Sequence, residues 1–462
     1  MTLFSLAAMS ATLALFVWIG LRARPSQANF DEFVSARNSQ PATALGLSFL
    51  ASGMGAWILF VPPEIGAFVG PIALSGYAIG AALPFFILIW FGPAIRQRMP
   101  LGCSLSEFAQ ERYGTTMRHW ITFMSVLYML CFITAELTAI GAITGILSDI
   151  PGNLVIIGLA LTTLLYTAWG GLRASLATDR WQAVLLIALL VAVGFLGFAG
   201  LPEGPLPVEM PNAPVSVGLS VAVTLIIAVT AANLFHQGYW QRIWAAKSDD
   251  ALRKGAWIGG ATTIAVVVFV GAMGMLAVMA SKDLGSPPAP FFALLRGVDT
   301  WISLPILVLA LALVASSVDT LQSGLASLFS TYSAKKSFHS LAAARWTTVL
   351  LMIPVIAVAL QGISVLRLFL IADLLCATAI APILLSLWKH MTARAALAGC
   401  SAGIAGAIVP GWVESASLGM GIYAASFPDG IPTLAPFLGA LTASTIASVG
   451  VSLVHQKSRS KQ

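Results

Sequence analysis

The chain has 462 residues, of which 58% are hydrophobic and only 9% charged, against about a quarter charged in a soluble domain. That deficit, with long apolar runs, excludes a soluble fold and places the chain in the membrane class; its net charge of +6 then reports loop topology rather than nucleic-acid binding. Cys103, Cys131, Cys376 and Cys400 form no CxxC or zinc spacing, and no HExxH or histidine pair occurs, so the cysteines read as packing residues and a metalloenzyme is not expected.

A crossing helix needs about 20 apolar residues. On that measure thirteen helices are predicted, at 3–22, 43–70, 73–95, 117–147, 153–170, 174–200, 215–236, 255–280, 302–333, 345–361, 364–388, 394–411 and 433–455. The first has no basic start and no A-x-A cleavage site, and reads as a retained helix rather than a signal peptide. Basic clusters at Arg22/Arg24, Arg96/Arg98, Arg112/Arg118, Arg242/Lys247/Arg253/Lys254, Lys335/Lys336, Lys389/Arg394 and Lys457/Arg459/Lys461 all fall on one side of this map. Of 24 Lys and Arg, Lys282, Arg296 and Arg367 fall on the other. The N-terminus is therefore expected outside and the tail HQKSRSKQ inside, in a bacterial cytoplasmic membrane. The loop LPEGPLPVEMPNAPV, with two acids and no basic residue, lands outside. Residues 1–462 read as one membrane domain.

The second predicted span, SFLASGMGAWILFVPPEIGAFVGP, holds Gly53 and Gly55 near its middle and Pro62 and Pro63 after them. Glycines and prolines weaken the helical ladder, and irregular backbone at membrane depth is tolerated where it lines a cavity or is covered by protein. Freed carbonyls there are ready ligands for a small hard cation; a simple proline kink is the other reading. The ninth span carries VASSVDTLQSG. At 100° per residue Ser316, Asp319, Thr320 and Ser323 share about a third of the circumference, with Ser317 beside them. Single hydroxyls are explained by bonds to the preceding turn. Asp319 is not, because a carboxylate in the bilayer costs about 3 kcal/mol on insertion scales and marks a pathway.

Several stretches resemble the sodium:solute symporter family. YTAWGGLRASLATDRWQ (166–182) is similar to its Gly-Gly loop followed by Thr-Asp and Gln; HQGYWQRIWAAKS (236–248) to its Gln-Arg…Ala-Ala-Lys-Ser loop; ASSVDTLQSG to its sodium-binding eighth core helix; LASGMGAWILFVPP to the first core helix of its proline-transporting branch; and IAPILLSLWKHMTARAALAG (380–399) to its tenth core helix and exit. The resemblance implies an all-α, LeuT-type fold. One leading helix (3–22) precedes five core helices (43–200) and an inverted copy (215–388), and two trailing helices (394–455) follow. It implies a sodium-coupled symporter of a small polar organic solute such as an amino acid, amine or urea-like molecule, with sodium, or a proton, as the coupling ion. Carried over by position, the common sodium site comprises carbonyls of Ala51, Met54 and Leu313 and hydroxyls of Ser316 and Ser317. Some members bind a second sodium through an aspartate that Asp179 matches, which implies a second cation site at Asp179, Asp319 and Thr320. The family's usual pattern has hydroxyls at both of the last two positions, and some members carry an aspartate where this chain has Gly53.

Three further acids, Glu64, Glu136 and Asp373, sit near mid-depth and suggest a cationic, amine- or amide-bearing solute, proton coupling, or bonds to a neighbouring helix. His236 and Gln237 match positions lining the solute pocket of sugar-transporting members, or belong to the inner gate. Trp57 and Tyr77 are pocket walls or plain packing. An uncoupled transporter of the same fold is opposed by the oxygen stripe. A sensory module is opposed by the chain ending seven residues after its last span. No nucleophile–base pair marks an enzyme. The solute's identity and the oligomeric state are not encoded in any motif.

Overall fold

The computed structural model describes residues 2–23, 35–201, 203–285, 288–295, 298–333 and 341–459. Arg24, Arg296, Lys335, Lys336 and Lys461, and the side chains of Arg180, Lys457 and Arg459, lie outside what is described. The described chain is helical: α1 (Thr2–Arg22), α2 (Ala42–Gly53), α3 (Trp57–Phe68), α4 (Pro71–Arg98), α5 (Leu105–Tyr113), α6 (Thr115–Leu147), α7 (Gly152–Ala199), α8 (Val215–Phe235), α9 (Gln237–Ala245), α10 (Asp249–Met279), α11 (Pro290–Ala293), α12 (Thr300–Ser333), α13 (Leu341–Ala359), α14 (Val365–Ala377), α15 (Ile380–Leu384), α16 (Ala393–Ser415), α17 (Leu418–Ala424) and α18 (Leu434–Arg459).

Among the described residues eleven helical segments are long and apolar enough to cross a membrane, with α7 counted as two of them. The pair α2 and α3, bent by 66° at a short break, adds a twelfth span. The predicted segment 345–361 is helical, but its apolar part, Arg345–Ala359, is shorter than a full crossing by that measure. The predicted helices 153–170 and 174–200 are two helical arms of α7, joined at Gly171, where the backbone is not helical, with φ 58° and ψ −151°. Only glycine adopts that backbone readily, so the Gly-Gly pair breaks the helix and redirects the chain between two spans.

The helices pack in two layers. In one, α2 and α3 lie on α10, and α4 lies on both α8 and α10. In the other, α12 lies on α6 and α7, with α13 against α6. The broken span meets the second layer through α2 on α7 and α12 and through α3 on α6 and α14. The last two long helices, α16 and α18, pair mainly with each other.

Loops gather at two ends. At one end Arg37 donates to the carbonyls of Pro100 and Gly102, Lys247 N to Gln40 O, and Arg112 to the carbonyls of Ser386, Trp388 and Met391. At the other, Ala213 N donates to Val69 O, Val208 N to Met279 O, and Arg367 to Ser426 O. The described basic residues concentrate at the first end. Arg242 is the exception to the reading of that cluster as solvated loop charge: it is fully buried.

Candidate solute and cation site

The break lies at the glycines. α2 ends at Gly53, and α3 starts at Trp57. Pro62 and Pro63 sit inside α3, which runs through them, so they are not the cause of the interruption. Met54 N still closes on Leu50 O, while Ile58 N and Leu59 N turn to Gly55 O and Ala56 O. Among the described residues no backbone amide reaches the carbonyl of Ala51 or Met54. Glu136, from α6, enters the break: its Oε2 accepts from Ala56 N at 2.6 Å. A Cβ on Gly55 would lie 1.9 Å from Glu136 Oε1 and 2.6 Å from Ser317 Oγ. These two oxygens thus converge on a spot that only glycine leaves open, and neither makes a hydrogen bond of good geometry among the described residues. Buried polar atoms are almost always paired; among the described residues these two oxygens have only each other within reach, and the same break leaves the carbonyls of Ala51 and Met54 without an amide, which is donor chemistry suited to a bare cation.

On α12 the residues on either side of Ser317, Ser316 before it and Asp319 and Thr320 after it, are hydrogen-bonded. Ser316 Oγ donates to Asp179 Oδ1 at 3.0 Å. Asp179 Oδ2 accepts from Ser48 Oγ at 2.6 Å and from Arg242 Nη2 at 2.8 Å, an ion pair with both side chains fully buried. The partner of Asp179 is thus Arg242, brought in by α9 after the chain leaves α8. Asp319 has no cation beside it among the described residues. It accepts from Tyr166 OH at 2.5 Å, Ser175 Oγ at 2.7 Å and Thr178 Oγ1 at 3.1 Å, with Thr320 Oγ1 at 3.5 Å. Tyr166 precedes the Gly171 kink and Ser175 and Thr178 follow it, so the kink lets the two arms of α7 grip the carboxylate from both sides. Asp179 and Asp319 are within electrostatic range of each other.

On the other side of the break lies an aromatic chamber. Trp57 and Tyr77 pair at 5.6 Å between ring centroids. His236 stacks on Tyr239 at 4.6 Å and meets Tyr128 and Phe132 edge-on; Phe132 packs on Phe369 at 4.8 Å. Asp373, on α14, is within electrostatic range of Tyr77 and Tyr128. None of these side chains is more than 8% exposed, so the rings and Asp373 are shut off from the surface. Tyr128 OH and both ring nitrogens of His236 have no hydrogen-bond partner among the described residues. Asp373 makes no hydrogen bond or ion pair there. Glu64, two turns along α3 from Trp57, lines a cavity of about 370 Å³ with Phe60, Thr138, Asn153 and Ser364.

The structure therefore brings together Trp57, Tyr77, Glu136, His236 and Asp373, places Glu64 in a vestibule beside them, and takes Gln237 elsewhere. The Gln237 amide accepts from Leu105 N at 3.2 Å and donates to Cys103 O at 3.0 Å and Ser327 Oγ at 3.2 Å, which ties α9 to α5 and α12. Tyr128, Phe132, Tyr239 and Phe369 were not anticipated, because an aromatic in an apolar helix carries no sign of which neighbour it will meet. Arg242 stood in a quoted motif but was read as loop charge. Among the described residues no three His, Cys, Asp or Glu side chains are grouped closely enough to hold a metal ion.

The family model of the sodium:solute symporter family matches residues 33–204. A spermidine transporter of Candida albicans is 30% identical over 366 residues, covering 77% of this chain and 69% of its own length. The chain belongs to the sodium:solute symporter family. Within it, a sodium/glucose cotransporter of Vibrio parahaemolyticus is 26% identical over 293 residues, 58% of this chain and 53% of that protein. Among solved structures, a substrate-bound, outward-open sodium-coupled sialic acid symporter superposes with a TM-score of 0.75 at 14% identity, covering 97% and 98% of the two chains. A nucleobase–cation symporter in a closed conformation gives 0.55 at 14% identity, covering 91% and 94%. These structures share the fold. The chain is a multi-pass membrane transporter of a symporter family.

Proposed function

We propose that this family member is a sodium-coupled secondary symporter that imports a small amine-bearing cation across a bacterial cytoplasmic membrane by alternating access. The observation that carries this reading is uncompensated charge: Glu136, Asp373 and Glu64 form no ion pair among the described residues, unlike Asp249, Glu111, Asp179 and Asp250, which pair with Arg96, Arg98, Arg242 and Lys254. Carboxylates at such depth are costly and face pathways, and the rings around them suit an ammonium group. The relative that transports spermidine supports an amine; the sodium/glucose relative supports sodium as the coupling ion.

Sodium is read at the carbonyls of Ala51, Met54 and Leu313 and the hydroxyls of Ser316 and Ser317. The free carbonyls and the unpaired Ser317 hydroxyl favour it. Glu136 reaches the same break, so an ammonium at Glu136 and a sodium at Ser317 are neighbours across Gly55. Each cation organises the backbone that the other needs, and the carboxylate between them screens their repulsion. This shared segment is the physical basis of coupling. The second cation position, Asp179, Asp319 and Thr320, is read with Arg242 as a built-in charge: the guanidinium balances Asp179 and leaves Asp319 for a further monovalent cation. The architecture is read as thirteen spans, ten of them a five-plus-five inverted repeat, with the basic end of the bundle cytoplasmic and the N-terminus outside.

A thermal-shift assay on purified protein tests the class. Spermidine or diaminobutane should raise the melting temperature in sodium and not in potassium, while glucose, proline and urea leave it unchanged. Stabilisation by a neutral solute alone sinks the amine class; equal stabilisation in potassium sinks sodium coupling.

A further inference from the structure

The three acids are spread along the pathway rather than gathered in one place. Glu136 is anchored at the level of Ala56 by its bond to that amide. Glu64 lies eight positions further along α3, about 12 Å at 1.5 Å per residue. Asp373 faces the chamber beside Tyr77 and Tyr128. Phe60, one turn from Trp57 on the same face of α3, lines the Glu64 cavity together with Thr138 of α6, so the cavity lies next to the aromatic cluster along α3. The cavity lining is mixed: Phe60, one turn from Glu64, with Leu366 and Ile156 supply apolar surface, and Thr138, Asn153 and Ser364 polar groups. Neither Glu64 nor Asp373 has a protein donor among the described residues, whereas Glu136 is met by the amides of Ala56 and Trp57 and by the Ser317 hydroxyl. The buried, unpaired hydroxyl of Tyr128 and the ring nitrogens of His236 add neutral polar groups at the inner end.

This distribution decides between kinds of cation. A divalent metal needs its acids together, and no such grouping exists among the described residues. A compact monoamine meets the chamber acids and leaves Glu64 bare. Separate acids, with the apolar surface of Phe60 between them, match separate ammonium groups joined by methylenes.

We propose that the solute is an elongated polyamine bound lengthwise, one end in the chamber between Glu136 and Asp373 and the other at Glu64 in the vestibule. The proposal rests on the amine reading above and adds the need for a second, distant ammonium group. The vestibule acid then acts as a length gauge, and methylenes pass along Phe60 at little cost.

Competition against sodium-driven uptake of radiolabelled spermidine into proteoliposomes tests it, with diaminobutane, diaminohexane and diaminooctane each set against the amino alcohol of the same length. The ratio of amino-alcohol to diamine inhibitory concentration isolates the second ammonium within one protein sample. In wild type this ratio should rise with length to on the order of tenfold, the worth of one charged hydrogen bond. In Glu64→Gln it should fall towards one at every length. A length-independent ratio, or one that Glu64→Gln leaves intact, overturns the lengthwise pose while leaving the amine class standing. Failure of every amine to compete, with uptake inhibited by neutral solutes, overturns both. Because the decisive comparison is made first in wild type, a Glu64→Gln protein that fails to fold does not protect the proposal.

Discussion

Ser316 and Ser317 are adjacent in the chain but have different neighbours, and substitution should separate them. Ser317 Oγ bonds to nothing with good geometry, so Ser317→Ala should raise the sodium concentration for half-maximal uptake roughly tenfold, as loss of one charged contact implies, with an unchanged melting temperature. Ser316→Ala should raise it as well and also lower the melting temperature, because Asp179 loses a donor. Unaltered sodium dependence in both would remove the ion from this helix. Arg242 is a separate case: Arg242→Leu alone leaves Asp179 buried and unpaired, a loss of about 3–5 kcal/mol. The double variant Arg242→Leu, Asp179→Leu should recover most of the lost thermal stability, as read by a melting curve; a double variant no better than the single refutes the pair's isolation. At this scale the sequence was partly legible. Hydroxyl periodicity located Ser316, Ser317 and Asp319 on one buried face. The partner of Asp179 was not readable, since Arg173 and Arg180 are near it in the chain while Arg242 is 63 residues away.

The elements that matter are the ones that depart from a straight helix. The break between α2 and α3 was legible from Gly53 and Gly55, but the prolines were misleading, because a helix flanked by others tolerates them. The Gly171 kink divides Tyr166 from Ser175 and Thr178, all of which bond Asp319. Gly171→Ala, at a backbone angle side chains avoid, should cost on the order of 1–3 kcal/mol and lower the melting temperature. Gly145→Ala, where an added methyl meets nothing within 4 Å, should be neutral or better. Equal effects would mean that the kink is not under the constraint described. The boundary between the two arms of α7 was legible from the Gly170–Gly171 pair: one residue of non-helical φ and ψ separates them.

At the scale of the molecule, apolar length located most of the spans, while the one-sided placement of basic residues supplies the proposed orientation. The packing that brings Trp57, Tyr77, Glu136, His236 and Asp373 near one another was beyond a single sequence. In a variant lacking the four cysteines, a cysteine placed at Pro205 should react with an impermeant maleimide in intact cells, and one at Asp250 only after permeabilisation; the reverse pattern inverts the proposed orientation. The central claim is that sodium and a cationic amine share the break at 54–56. Its most direct measurement is uptake of radiolabelled spermidine into proteoliposomes under an inward sodium gradient, for wild type and for Glu136→Gln. The account predicts accumulation above equilibrium in wild type, none with potassium in place of sodium, and loss of both spermidine uptake and amine-stimulated sodium entry in Glu136→Gln. Sodium-independent equilibration in wild type, or undiminished coupled uptake in Glu136→Gln, would contradict it.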